Sequence, residues 1–171
     1  MAKQTDITHE TQAQLWDELD SGRICMLWVP ETDQHPQPMT MFADRDSGAI
    51  WFITASDTDL AGALGAARPA RMTFNAKSRD YQCSIVGRLS IVQDDAKLDD
   101  LWNVAVAAWF EGGRDDPKVR LLRFDPKEAA IWASDGNSVM VGLKLLRAGL
   151  QESADGSDVG VHHIIKFDAA A

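Results

Sequence analysis

The sequence predicts a mainly β, α+β protein, an antiparallel barrel or sheet with helices packed at its ends. Three observations lead there. Short apolar runs dominate the chain and come in clusters, where a doubly wound parallel sheet would alternate strand with helix. Turn-forming residues separate the runs: Asp44-Arg45-Asp46-Ser47-Gly48 stands between two of them, the arrangement of a hairpin. Helical spacing or composition is confined to stretches near residues 8–20, 57–67, 94–109 and 138–150.

Taken in order, residues 1–7 read as a loose tail. A helix is expected from Thr8, which can cap it, with Leu15, Trp16 and Leu19 on its apolar face and Ser21-Gly22 at its end. Ile24-Cys25-Met26-Leu27-Trp28-Val29 is a continuous apolar run stopped by Pro30, and reads as a buried strand. After a polar loop over 31–38, Met39-Thr40-Met41-Phe42-Ala43 and Ala49-Ile50-Trp51-Phe52-Ile53-Thr54 form the second and third strands. Residues 57–67 have helical composition, capped by Ser56 or Asp57 and ended by Arg68-Pro69. Strands follow over 70–75 and from Tyr81 to Val92.

From Asp94-Asp95 a strong helix is expected, with Leu98, Leu101, Trp102, Ala105 and Trp109 on one apolar face. It runs into Trp109-Phe110-Glu111-Gly112-Gly113-Arg114-Asp115-Asp116-Pro117: two aromatics, a glycine pair free to take positive φ, and a charged turn closed by proline. The aromatics read either as core residues at a helix C-terminus or as a rim that meets a flat apolar partner. Residues 119–124 and 129–132 are expected as two strands turned by Asp125-Pro126-Lys127. A helix over 138–150, a polar loop over 153–158 and a strand over 161–167 complete the chain.

With 171 residues and no linker, repeat or low-complexity segment, residues 1–171 read as one domain. The balance of 17 Lys+Arg against 26 Asp+Glu gives a net charge of −9, with the acids dispersed. Nucleic-acid binding needs a basic face to replace phosphate counterions, so it is excluded, and an anionic membrane surface is disfavoured. No apolar run reaches the length of a membrane span, and the N-terminus lacks a signal peptide's basic-then-apolar order; a cytoplasmic location is expected. Cys25 and Cys83 form no CxxC and are expected as small buried hydrophobes. The six tryptophans point to a dimer interface or a ring site.

Chemistry is sparse. Of His9, His35, His162 and His163, the last two face opposite ways on a strand, and no HExxH or paired CxxC exists, so no metal site is expected. GxSxG, GxxxxGK[ST] and a helix-opening GxGxxG are all absent. One polar feature remains: Thr54-Ala55-Ser56-Asp57-Thr58 joins a strand to a helix start, where hydroxyls and backbone N–H groups either cap the helix or hold an anion. Asp57 and Asp59 compete for the same donors and favour capping.

Together these segments resemble a family. Pro38-Met39-Thr40, Ile50-Trp51-Phe52-Ile53-Thr54, the run from Tyr81 to Gly87, Trp109-Phe110-Glu111-Gly112-Gly113 with Asp116-Pro117, and the run from Ala129 to Trp132 occur in that order. This order is similar to the general stress protein 26 branch of the pyridoxamine 5'-phosphate oxidase-like flavoproteins. The resemblance spans about residues 10 to 150, and "WF-x-GG-x-x-DP" is its most specific element. It implies an FMN-binding split β-barrel, a homodimer with flavin in clefts between subunits. Met39 and Thr40 would line the flavin, and Phe52, Ile53 and Thr54 would meet the ring edge. Ser56, Asp57 and Thr58 would form the phosphate turn. Trp109 and Phe110 would close over the ring from the partner subunit.

Two departures bear on the phosphate. Gln37 stands where the family pattern commonly has Arg, and Leu60 stands near the place of its Lys. Each loss removes a cation worth about 1–3 kcal/mol of charge-assisted bonding. Arg45, Arg68, Arg71 and Lys77 are candidates to compensate, and FAD or riboflavin are alternatives to FMN. Vitamin B6 synthesis is not expected, because the Arg/His-bearing C-terminal segment of true oxidases is not matched. If the protein is an enzyme, the resemblance implies a flavin-dependent oxidoreductase of a small substrate. The alternative is a non-catalytic homodimeric stress protein that has lost tight flavin binding.

Overall fold

A computed structural model of the chain describes residues 2–65, 67–133 and 161–167. The helix expected over 138–150 and the loop over 153–158 lie outside the described residues. Helix α1 (Ala2–Gly22) leads into β1 (Ile24–Trp28), β2 (Gln37–Thr40), β3 (Phe42–Asp44) and β4 (Ala49–Ala55). Helix α2 (Asp59–Leu64), β5 (Ala67–Asn75) and β6 (Tyr81–Val92) follow. The chain continues through α3 (Asp95–Leu101), α4 (Val104–Ala107), β7 (Val119–Ala133) and β8 (Val161–Lys166).

Among the described residues all strand pairings are antiparallel, in the order β2-β1-β5-β6-β7-β4-β3, with β8 also beside β7. Strands β2 and β3 are the two ends of that path, yet only Met41 separates them in the chain. The sheet must therefore curve until its ends adjoin, as a barrel does. Met41 is fully buried at the join, and its N–H donates to Arg23 O at 2.8 Å. The interior is filled from every wall, with Leu27, Met72, Ile85, Leu122 and Phe124 among its members. Helix α1 adds Leu15, Trp16 and Leu19, and Trp16 meets Phe167 edge-on at 6.1 Å.

Several expectations need correction. Helix α1 begins at Ala2, so residues 2–7 are helical where a loose tail was expected. No glycine or proline precedes Gly22 to stop it. Strand β1 alternates: Cys25 and Leu27 face the core while Ile24 and Met26 are exposed, so the apolar run is not buried on both faces. Strand β5 runs through Pro69. This is tolerated because β1 pairs with β5 only over Arg71, Met72 and Thr73, leaving Pro69 beyond the part of the strand held on both sides.

Asp125-Pro126-Lys127 does not turn the chain. Strand β7 continues through it, and a register shift places the irregularity opposite Val86 and Gly87. A bulge absorbs the extra residue and tolerates proline within a long strand. Strand β7 can then pair β6 along its length, β4 over its first half and β8 over its second.

The helix expected from Asp94 to Trp109 is two helices. Trp102 is extended (ψ 125°), and Asn103 Oδ1 accepts from Ala105 N and Val106 N at 2.9 and 3.1 Å, starting α4 afresh. Asparagine competes for backbone donors in this way and breaks the run. The spaced apolar residues therefore do not share a face: Leu98 is buried over Trp51 and Leu121, whereas Trp109 is 85% exposed. Helix α2 is capped by Thr58 and not by Ser56 or Asp57.

Candidate functional site

A cleft of ≈ 550 Å³ opens where the two ends of the barrel sheet meet. Strand β2 brings Met39 and Thr40 to it, β3 brings Phe42, and the end of β4 brings Ile53 and Thr54. Asn103, Ala105, Val106, Trp109 and Phe110 join the lining from the α4 segment, and Arg23 and Thr58 also reach it. These are residues of one chain. Within the single chain, Trp109 and Phe110 stand on this cleft. The two aromatics differ in setting: Phe110 is 9% exposed and lies 5.7 Å from Trp102, while Trp109 is open to solvent.

The loop after this pair is fixed by charge and by glycine. Asp116 accepts from Gly112 N at 3.1 Å through Oδ2 and from Lys118 N at 2.8 Å through Oδ1. Gly113 takes φ 68°, which a residue with a Cβ adopts only at a cost. Arg114 then bonds Asp99 at 2.5 Å and Asp95 at 3.1 Å on α3. The charged turn is a clamp that holds Trp109 and Phe110 in place. A second cleft of ≈ 600 Å³ is lined by Arg114 and Arg120, but Arg114 is already engaged by those carboxylates and Arg120 donates to Pro117 O and Val119 O, both at 2.8 Å.

The polar groups of the first cleft form a short chain. Thr58 Oγ1 donates to Ala55 O at 2.9 Å, accepts from Ala61 N at 3.3 Å and lies 3.2 Å from Thr54 Oγ1. A hydroxyl has one proton, and that of Thr58 goes to Ala55, so Thr54 is the donor between them. Thr58 is then fully occupied, and Thr54, 7% exposed, offers the cleft only acceptor capacity. In the same turn Ser56 N donates to Lys118 O (2.8 Å) and Thr58 N to Ala55 O (3.2 Å). Asp57 pairs with Lys118 at 2.7 Å, whose hydrogen bond and charge hold the Asp57 carboxyl below its ordinary range.

Met39, Thr40, Ile53, Thr54, Thr58, Trp109 and Phe110, read from the sequence as site residues, are thus brought to one cleft. Phe52 is fully buried in the barrel core, and Ser56 and Asp57 are not part of the cleft lining. Leu60 is also fully buried, so the position matched to a family lysine faces the interior. None of the expected compensating cations lines the cleft: Arg45 pairs with Asp17 at 3.4 Å and Arg68 donates to Ala63 O at 3.2 Å. Among the described residues the cleft cation is Arg23, which sequence reading missed because nothing in its spacing marks it. Asn103 was missed too, hidden inside an apparent helix.

Cys25 and Cys83 are free and buried, and burial pushes each thiol up to about 12. No described helix is long and apolar enough to cross a membrane. Among the described residues, no group of three or more His, Cys, Asp or Glu is placed to hold a metal ion.

A curved antiparallel sheet closed at Met41, with helices around it and a cleft at the join, defines an α+β split-barrel protein. Residues 10–155 match the model of the family described as pyridoxamine 5'-phosphate oxidase like. The chain belongs to that family. A solved structure assigned as a general stress protein 26 from Jannaschia sp. CCS1 is 32% identical; the match covers 95% of this chain and 99% of that one, with a TM-score of 0.73. The general stress FMN/FAD binding protein from Xanthomonas citri is 41% identical over 71% of this chain and 87% of that one, TM-score 0.65. A general stress family protein from Xanthomonas campestris pv. campestris is 41% identical over 77% and 91%, TM-score 0.68. No curated protein matches the chain.

Proposed function

We propose that the protein is a cytoplasmic, homodimeric flavin-binding stress protein that takes FMN in the cleft at the barrel join. The observation that carries this reading is the convergence of Met39-Thr40, Ile53-Thr54 and Trp109-Phe110 on one cleft from segments far apart in sequence. The donor set fits a flavin. Met39, Phe42, Ile53 and the two aromatics supply apolar and flat surface, Thr54 an acceptor, Asn103 an amide and Arg23 a cation. A volume of ≈ 550 Å³ is within the range of sites that enclose a small ligand. The FMN/FAD binding of the Xanthomonas citri relative supports the same reading.

A bound flavin supplies the redox chemistry. Among the described residues, the cleft lining contains no His, Asp, Glu, Lys, Cys or Tyr, so those residues are suited to bind, orient and shield from water rather than to act as a general acid or base. If there is turnover, a reductase or oxidase of a small substrate is the class that suits such a lining. For the dimer, the outer sheet face offers a row in register: Met26, Thr73, Ser84, Ala130 and Ile164. Met26 and Ile164 are exposed, as are Ile24 and Trp132 on strands of the same sheet. A row free of charge and bordered by exposed apolar groups suits a second copy.

One observation favours a second reading, a homodimer that no longer holds flavin tightly. The Ser56–Thr58 turn uses the Thr58 hydroxyl and two backbone donors internally, and Leu60 is buried. The visible spectrum of the purified protein, followed by fluorescence titration with FMN and riboflavin, separates the two. A yellow protein, or one that quenches FMN at micromolar concentration, supports the first. A colourless protein that quenches neither flavin supports the second.

A further inference from the structure

We infer that Arg23, and not the Ser56–Thr58 turn, selects the anionic end of the ligand in the cleft. The inference rests on the flavin reading, and the anionic group is then the terminal phosphate of FMN. Three observations carry it. First, Arg23 is the only cationic residue among the described residues that line the cleft. Second, three of the turn's donors are engaged within the protein, the Thr58 hydroxyl and the Ser56 and Thr58 N–H groups, and the nearest cation, Lys118, is already paired with Asp57 at 2.7 Å. Third, Arg23 is held in a backbone conformation that suits glycine, with φ 59°.

Helix α1 ends at Gly22, and Arg23 N donates to Leu19 O at 3.1 Å, the bond of a left-handed helix cap. Glycine normally occupies the left-handed position, but here it stands one residue earlier, where a Cβ would lie 2.1 Å from the Phe74 ring. The left-handed position therefore carries an arginine, a conformation costly to a residue with a Cβ and shared in this chain by Glu31 and Arg79. Its carbonyl is pinned by Met41 N at 2.8 Å, next to Thr40 of the cleft. Its guanidinium, by contrast, is lightly held. Nε reaches Asp20 O at 3.4 Å and Nη2 reaches Asp20 Oδ1 at 3.9 Å, between side chains 63% and 69% exposed. A rigid base with a cation held only by long, exposed contacts to Asp20 is suited to an incoming phosphate.

Riboflavin and FMN share ring and ribityl chain and differ by the phosphate, so their affinity ratio isolates this contact. Both are titrated into wild type, Arg23→Gln, Arg23→Lys and Arg23→Gly by fluorescence quenching, at low and at physiological salt. The wild type is expected to prefer FMN, the more so at low salt. The preference falls about tenfold in Arg23→Gln and Arg23→Gly, survives in part in Arg23→Lys, and riboflavin affinity changes less than about twofold. Arg23→Gly, freed of the strained φ, melts no lower than wild type, so its loss is not unfolding. An FMN preference that persists in Arg23→Gln and Arg23→Gly, or a wild type that binds both flavins equally, overturns the role of Arg23 and leaves flavin binding standing. A wild type that quenches neither flavin overturns the flavin reading and this inference together.

Discussion

Thr54 donates its hydroxyl proton to Thr58 Oγ1 across 3.2 Å, because the Thr58 proton is engaged by Ala55 O at 2.9 Å. The two threonines therefore have opposite duties, and substitution separates them. Thr58→Ala removes the α2 cap and lowers stability by about 1 kcal/mol, with flavin affinity of the folded protein nearly unchanged. Thr54→Val removes the acceptor facing the cleft and weakens FMN and riboflavin alike, by about fivefold to tenfold. Urea unfolding and flavin titration on both variants check this. A Thr58 variant that loses flavin while keeping its stability contradicts the assignment.

Gly87 faces the bulge in β7, where the two backbones approach closely. A Cβ at this position would lie 2.4 Å from Asp125 O and 2.7 Å from the Phe124 ring. The first of these is backbone in a paired strand and cannot swing away. Gly87→Ala is expected to destabilise the protein by about 2–4 kcal/mol, read as a lower urea midpoint with an unchanged slope. A variant as stable as wild type would show that the bulge relaxes freely.

Acid sensitivity should trace to the contact between β3 and α3. Lys97 Nζ lies 2.8 Å from Asp44 Oδ2, and both side chains are about four-fifths covered. Burial by itself would raise the Asp44 carboxyl, but the hydrogen bonds from Lys97 and Ser47 and the Lys97 charge outweigh it and hold the group at about 2. A folded value below the unfolded one stabilises the fold above about pH 4, and that share is lost as pH falls toward 2. It amounts to about 1–2 kcal/mol. The stability gap between wild type and Asp44→Asn should narrow from pH 5 to pH 2. Glu18 is raised by burial and by Asp80 and Asp17, so it acts in the opposite direction and makes the variant comparison necessary.

Legibility in the sequence followed the range of the interactions involved. Strand β6 was readable from Tyr81 to Val92 because its alternation of buried and less buried residues is carried by the strand itself. The hairpin at Asp44 to Gly48 was readable for the same reason: Ser47 N bonds Asp44 Oδ1 at 3.1 Å, a local contact. Failures came where a distant partner or a single competing side chain decided. Asn103 broke a run whose spacing was otherwise helical, and the bulge opposite Gly87 made one strand of two. The cleft followed the same rule. Pro38-Met39-Thr40 and Trp109-Phe110 were legible as motifs. Arg23 was not, since its place at the cleft depends on the closure of the barrel at Met41, which no local pattern encodes.

The aromatic pair supplies the last prediction. Phe110 is buried against Trp102, and Trp109 stands 85% exposed on the same cleft. Phe110→Ala should cost about 2–4 kcal/mol of stability, as the loss of a buried ring does. Trp109→Ala removes little that the single chain buries, so its stability as a monomer should change by less than about 0.5 kcal/mol. If Trp109 covers a flavin, Trp109→Ala weakens FMN and riboflavin equally, by about tenfold, because the ring and not the phosphate is what it touches. Thermal melts, flavin titration and sedimentation on both variants distinguish the cases. A Trp109 variant that changes the oligomeric state but neither flavin affinity makes the residue an interface anchor. One that changes none of the three removes it from the site.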